Sequence, residues 1–432
     1  MDLPQRPSYI IVGAGVFGTS TALHLKSEHP DADVTLIDRN DPEAPIRPAA
    51  SWDWNKVIRA DYSDITYCRI ALEAQDEWRT NPLWKPFYHE TGALWITSTD
   101  FVQKVIDNFK ALGRDAKVYA SPVQEARKLY GGIFDDADYT GIDKVLINET
   151  SGWAAAKDAL QAGIKRAIAI GVKYVTAEAE LLDFDDQSRC TGIRTREGKC
   201  ITAKRTILCT GAFTPVLLEK AADITSCDAF RPDKRMIAAG VTTGMVTLDE
   251  DTGAILEDMP VCVQQNPIQR GPHNGTLPPN EQGQVKFWGQ SIVQFAQGAP
   301  RFSQPPTGDG YDQWTVPEAL KADITIANEA TFGKLGDTWK IHSHRICWEC
   351  LTPSEDFIIS PHPASPGLFI ATCGSFHGYK FLPVIGRYVT QMLDDALAPD
   401  LISRWAWDRP LPDKPGPEWP RHDLGDLLDE AL

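Results

Sequence analysis

Residues 8 to 13, SYIIVG, form an unbroken apolar run that meets glycines at 13, 15 and 18, after which apolar positions fall at helical spacing to about residue 27. A second apolar run, VTLIDR, follows at 34 to 39. Continuous apolar runs of this length read as strands covered on both faces, so the pattern predicts a strand, helix, strand unit. Residues 64 to 80 have helical spacing, HETGALWIT from His89 reads as a turn into a strand, and 102 to 130 reads as helix-rich. From 154 to 170 the pattern is helical again and closes at Gly171; a strand, a hairpin and a strand at 206–209 follow, the last ending in the small-residue turn Thr210-Gly211-Ala212-Phe213. Between 222 and 338 the pattern is β-like and broken by Pro/Gly/Asn-rich patches. After Lys340 strands return, closing in strand, glycine-rich turn and helix, and the proline-rich tail beyond Pro410 reads as extended.

Length and charge narrow the classes. At 432 residues the chain calls for two domains. A net charge of -16, with no basic run longer than a dipeptide, excludes nucleic acid as a partner, and an anionic substrate would need a local positive pocket. No stretch of 18 apolar residues occurs and the start of the chain leads into a strand, so neither a membrane span nor a secretory leader is expected; a cytoplasmic protein is, with a peroxisomal location left open. Nine cysteines argue for reduced thiols rather than a disulfide framework.

The spacing G-x-G-x-x-G at Gly13, Gly15 and Gly18, directly after a strand and opening a helix, is the cradle of a dinucleotide pyrophosphate. Asp38, 20 residues beyond Gly18 at the end of the second strand, is placed for ribose hydroxyls. The loop alone does not separate a mobile nicotinamide from a resident flavin. A nicotinamide dehydrogenase would continue β-α-β-α from Asp38, whereas here cofactor-like turns recur near 13, 210 and 374 with other material between them, which suits a flavin clamped at several points.

Five stretches, YIIVGAGVFGTSTALHL, SWDWNKVIR, ILCTGAF, RICWECLTPSEDFIISPHP and GSFHGYKFLPVIG, occur in the order seen in the monomeric sarcosine oxidase and amadoriase (fructosyl amino acid oxidase) branch of the FAD-dependent amine oxidases, which the chain resembles over essentially its full length. The resemblance implies an α/β fold with a Rossmann-like FAD-binding domain assembled from 1–90, 151–222 and 341–432, and a mixed-sheet substrate domain from 91–150 and 223–340. It implies FAD joined through a thioether at Cys347, with Gly13, Gly15, Val16, Phe17, Gly18, Asp38, Arg39, Ser51, Gly211, Gly374, Phe376, His377, Gly378 and Lys380 around the cofactor. Arg59 and Lys380 would hold a substrate carboxylate, Lys56 would lie beside the flavin ring, and Lys286 would serve the reaction with oxygen. Two cations converging on a carboxylate, one a bidentate fork and one a point charge, make physical sense of the pair.

The departures bear on substrate. Trp52 stands where sarcosine oxidases have histidine and Glu349 where they have tyrosine, so both are expected at the substrate. The amadoriase Trp-Arg-Trp-Arg segment is here Trp405-Ala406-Trp407-Asp408-Arg409. The expectation is a monomeric flavoprotein oxidase of a secondary (N-alkyl or N-methyl) amino acid that passes electrons to oxygen and releases hydrogen peroxide. Deglycating, saccharopine or pipecolate, and imine-cyclising oxidases are the alternatives, and a non-catalytic flavin-binding partner protein is the rival from another class. A thioredoxin-like use of Cys347-Trp348-Glu349-Cys350 is disfavoured because the motif lies in a strand, and a metal at His342 and His344 because no third ligand is spaced nearby.

Overall fold

The computed structural model describes residues 7–265, 273–297, 302–306 and 313–429; residues 1–6, 430–432 and parts of the Pro/Gly/Asn-rich patches fall outside these ranges. The strand Ser8–Val12 runs parallel to Asp33–Asp38 on one side and Arg205–Leu208 on the other, with Ile11 beside both Leu36 and Ile207. All three of these side chains are fully buried. Ile11 faces a core built with the helices Val16–Glu28, Ala156–Ala169 and Ile385–Leu393, while Ile10 and Val12 face a second core with Leu217, Leu218 and Ala221 of the helix Thr214–Thr225. Coverage on both faces explains the unbroken apolar run. Each fully buried aliphatic side chain contributes about 1.5–3 kcal/mol, so a charged replacement at Ile11 would break this layer.

The sheet has six strands in the order Ile358–Pro361, Leu368–Thr372, Arg205–Leu208, Ser8–Val12, Asp33–Asp38, Lys173–Thr176, all parallel except the first edge strand. It is a Rossmann-like sheet drawn from discontinuous segments. Because the strands are parallel, the turns after Val12, Leu208 and Thr372 emerge at one edge, which is where ligands bind in such sheets. Its helices pack closely: Gly386 leaves no room for a Cβ against the Ser20 carbonyl, and its N–H bonds Ser20 Oγ at 2.8 Å.

A mixed sheet follows the order His342–Leu351, Ile237–Thr247, Gln284–Gln294, Asn274–Leu277, Val261–Gln264, Ala93–Ile96, Lys144–Asn148, Val118–Pro122, with His422–Asp423 added beside Gln284–Gln294. A small sheet of Asn55–Ile58, Gly152–Ala155 and Tyr88–His89 lifts Lys56 into the space between the two. Among the described residues no helix is long and apolar enough to cross a membrane.

Three local expectations change. The stretch at 102–130 contains the edge strand Val118–Pro122, because pairing with Lys144–Asn148 overrides the local pattern. The strand carrying Cys347 lies in the mixed sheet, in register with Ile237–Thr247 from Ile237 beside Leu351 to Met245 beside His342, so the boundary at 341 cuts across a sheet. The tail is extended only in part: it adds a strand and the helix Leu424–Asp429, pinned by the fully buried Leu424.

Candidate active site

One cavity of about 1130 Å³ runs from the glycine loop to the mixed sheet. At its first end, Gly13 has φ +99°, and a Cβ there would strike the Cys209 carbonyl, so only glycine lets the two turns meet. Gly18 is not on the cavity wall; it packs the helix onto the Gly13 carbonyl. The N-cap Gly15 supplies no side chain and the first turn holds no acid, which leaves the helix N–H groups open to an anion. Val16, Phe17, Arg39, Ser51 and Gly211 line the same end, and nothing lies within 4 Å of where a Gly211 Cβ would stand. Asp38 Oδ2 accepts from Ala14 N at 2.8 Å and Oδ1 from Asn40 N at 2.9 Å, which leaves lone pairs facing the cavity. Arg47, which the sequence did not single out, is buried beside this loop and also bonds Tyr174 Oη at 3.0 Å. A long cavity with an uncapped helix N-terminus, a ribose-type acid and an unpartnered buried donor on its wall, Trp348 Nε1, fits a flavin dinucleotide.

Further in, three cations share one carboxylate. Lys286 Nζ donates to Asp53 Oδ2 at 2.8 Å and to the Asn55 carbonyl at 2.8 Å; Lys56 Nζ lies 3.0 Å and Arg345 4.0 Å from the same Asp53 oxygen. Burial alone would raise the Asp53 carboxyl, but Lys286, Lys56 and Arg345 outweigh it and hold it below the usual carboxylate range. Burial likewise opposes charge on Lys56, and Cys347 and Asp53 beside it more than compensate, so its value is raised. Lys286 goes the other way: burial wins over Asp53 and brings it down to about 8. Lys56 Nζ also reaches to 3.7 Å from Cys347 Sγ. Asp53 and Arg345 are functional neighbours that sequence reasoning missed. Their signals were an acid three residues before Lys56 and an arginine two before Cys347, hence on the same strand face.

A second cationic group has, among the described residues, no carboxylate within ion-pair distance. Arg59 is stacked on Tyr62 at 4.7 Å and Trp95 at 4.8 Å and donates to the Asp61 carbonyl. Lys380 Nζ donates to Tyr62 Oη at 3.0 Å and to the His377 carbonyl at 2.6 Å. Among the described residues neither cation has an ion-pair partner. Burial, then repulsion from Arg59, pulls Lys380 well below the ordinary lysine value. His377 is also pulled well down by burial and Lys380, which keeps the ring neutral. Its Nε2 faces the Glu355 carbonyl at 2.8 Å and so carries the proton, leaving Nδ1 to accept from Tyr62 at 3.0 Å. Tyr62 is thus held at both ends, and its pairing across more than 300 residues left no trace in the sequence.

The turn joining these groups is strained: Cys373, Ser375 and Phe376 have φ of +66°, +49° and +58°. Gly374 sits among them without a side chain, and a Cβ there would overlap Glu349. Glu349, two residues after Cys347, lines the cavity and accepts Phe376 N–H at 2.9 Å. Gly378 lines it too. Trp52 does not: its ring lies 5.6 Å from Arg345 and 5.7 Å from Lys157, and only its neighbour Ser51 reaches the wall, which corrects the expected substrate contact. Cys350, at odd spacing from Cys347, turns into the core, where its Sγ is 3.4 Å from Cys373 Sγ. His342 bonds Thr247 at 3.0 Å, and among the described residues no cluster of three potential metal ligands forms.

The profile of the FAD dependent oxidoreductase family matches residues 8–392. Over 419 residues the chain is 25% identical to the L-saccharopine oxidase of Schizosaccharomyces pombe, covering 92% of each chain. It is 23% identical over 429 residues to a monomeric sarcosine oxidase from an Arthrobacter species, covering 95% of this chain and 98% of the relative. The crystal structure of the deglycating fructosamine oxidase Amadoriase II from Aspergillus fumigatus matches with a TM-score of 0.77 at 26% identity, covering 98% of this chain and 97% of that one.

Proposed function

Because the chain belongs to the FAD dependent oxidoreductase family, we propose that its reaction is the oxidation of the carbon–nitrogen bond of a secondary amino acid to an imine, with oxygen taking the electrons and leaving as hydrogen peroxide. The observation that carries this reading is the Arg59 and Lys380 pair, two cations at one half-buried tyrosine with no carboxylate among the described residues within ion-pair distance. A buried cation without a counter-ion is costly unless a ligand supplies one, so the pair calls for a substrate carboxylate. Saccharopine and sarcosine, named in the relatives, are both secondary amino acids. The deglycating alternative has less support, since Ala406 stands where the amadoriase pattern has an arginine.

The bound flavin supplies the two-electron acceptor, and the protein's residues provide binding, orientation and electrostatics. Cys347, on the cavity wall with Lys56 beside its sulfur, is the attachment point for a thioether to the flavin methyl group. Lys286, buried and held by Asp53, places a fixed positive charge in a dry part of the site where oxygen accepts electrons. The protein acts as a monomer on a small amino acid. Anaerobic mixing with a panel of N-alkyl amino acids tests the reading: at least one should bleach the flavin absorbance. Acid precipitation should leave the yellow colour in the pellet and Cys347→Ala should release it. A colourless pellet from the wild-type protein would remove the thioether from the account.

A further inference from the structure

An aliphatic amine keeps its proton at neutral pH, as the ordinary lysine value of about 10.4 illustrates. Protonated nitrogen has no lone pair to form the imine, so one proton must leave it before the neighbouring carbon gives up its hydrogen. Some group on the cavity wall has to receive that proton. Beyond the nucleotide loop Asp61 accepts from Trp95, Asn148 and Ser151, Asp64 is paired with Arg404, and Glu418 bonds His273. Glu355, like Glu349, accepts one backbone N–H, from Glu418, but the charges acting on it are Glu418, His273 and Asp356 rather than the Lys56 and Lys380 of the substrate end.

Glu349 differs. Its Oε2 is fixed by the Phe376 amide, its Oε1 accepts no hydrogen bond from any described residue, and the missing side chain of Gly374 makes room for it. It stands on the same strand face as Cys347, with Lys56 acting on it from the small sheet and Lys380 from the turn after Leu368–Thr372. In an α-amino acid the nitrogen is one carbon from the carboxylate. A substrate anchored at Arg59 and Lys380, with its reacting carbon toward the Cys347 side, therefore brings its nitrogen past Glu349.

We propose that Glu349 is the catalytic base, its Oε1 taking the proton from the ammonium nitrogen of the bound secondary amino acid. The N–H bond breaks and an O–H bond forms, turning ammonium into neutral amine and carboxylate into carboxylic acid. The lone pair so released forms the imine as the carbon is oxidised, and Glu349 later returns its proton to solvent. This role rests on the secondary amino acid reading given above. Burial raises the Glu349 carboxyl to about 7, with Lys56, the Phe376 amide and Lys380 opposing, while Cys350 is the thiol next to it on its own strand. A base of that strength is matched to neutral pH. It is ionised above about 7 and protonated below, so flavin bleaching should lose about tenfold per unit as pH falls beneath that value.

The test uses the holoprotein and two variants, Glu349→Gln, which keeps an acceptor for the Phe376 amide, and Glu349→Asp, which keeps a base. Infrared difference spectra between pH 5.5 and 8.5 need no substrate: the wild type minus Glu349→Gln should show one carboxylic acid band disappearing near pH 7. Anaerobic bleaching by pipecolate, saccharopine and N-methylphenylalanine is then followed against pH. Glu349→Gln should be slower by roughly 10²–10⁴-fold and lose the acidic limb, and Glu349→Asp should recover that limb with part of the rate. Absence of the infrared band, or an unchanged limb in a Glu349→Gln protein that still bleaches, overturns the base. Failure of every amine to bleach any of the three proteins overturns the amino acid oxidase reading itself.

Discussion

Two cationic groups share one cavity and are built on opposite principles. Around Asp53, Lys286, Lys56 and Arg345 carry their own carboxylate, and each finds further acceptors on the protein. Around Tyr62, Arg59 and Lys380 bond, among the described residues, to aromatic faces, a phenol and backbone carbonyls, with no carboxylate within ion-pair distance. The first arrangement fixes positive charge whatever is bound. The second leaves positive charge to be matched by a ligand. In a protein of net charge -16, each is a local reversal of sign.

Removing the internal counter-ion should have the largest effect. Asp53→Asn leaves three cations, two of them buried, facing one another, and breaking such a group typically costs about 3–5 kcal/mol, to be read from urea unfolding of the holoprotein. If stability stays within 1 kcal/mol, roughly the noise of an ordinary surface substitution, the Asp53 group is not the self-contained unit described here.

Next comes the lysine that this carboxylate holds. Lys286→Met should slow reoxidation of pre-reduced enzyme by about 10²-fold, corresponding to roughly 3 kcal/mol, and leave anaerobic bleaching within a few-fold. With Lys286 brought down to about 8 by burial, the charged form is lost as pH rises through that value. Wild-type reoxidation should therefore fall on the alkaline side, and the variant should show no such fall in stopped-flow mixing with oxygen.

The open pair should respond to the ligand rather than to unfolding. Arg59→Ala and Lys380→Ala each remove one charge-assisted contact, about 1.5–3 kcal/mol, which raises KM for a carboxylated amine by roughly 10- to 150-fold. The matching amine without a carboxylate should be nearly indifferent to either change. If it loses as much as the acid, the pair does not read the carboxylate. Smallest is Tyr62→Phe, which keeps the stacked ring but deletes the acceptor for Lys380: about 1 kcal/mol, or fivefold in KM, with kcat little altered.

How much of this could be read in advance follows from sequence distance. The strand Ser8–Val12, the glycine turn and Asp38 lie within 31 residues, and their glycine spacing, apolar continuity and terminal acid each report a local requirement. Cys347, Lys56, Arg59 and Lys380 were singled out through the short motifs around them, and all four line the cavity. The Asp53 group was not, since its members come from residues 53, 56, 286 and 345, and nothing local says that four separate side chains will share one oxygen. Trp52 was misplaced for a related reason: its motif set the chain position, while in the fold its ring stands off the cavity wall, between Arg345 and Lys157.

The strand at Val118–Pro122 teaches the same about the fold, for its conformation comes from a neighbour rather than from its own residues. Periodicity and turn chemistry by themselves determined the nucleotide-binding unit, because it depends on bonds and burial patterns within a few turns of chain, while the residues expected to carry the chemistry came from the resemblance of five short motifs to a known family. Only the tertiary structure decided which cations keep a counter-ion and which await one, and that Glu349 retains a free oxygen, because charge compensation and burial are properties of groups brought together across hundreds of residues.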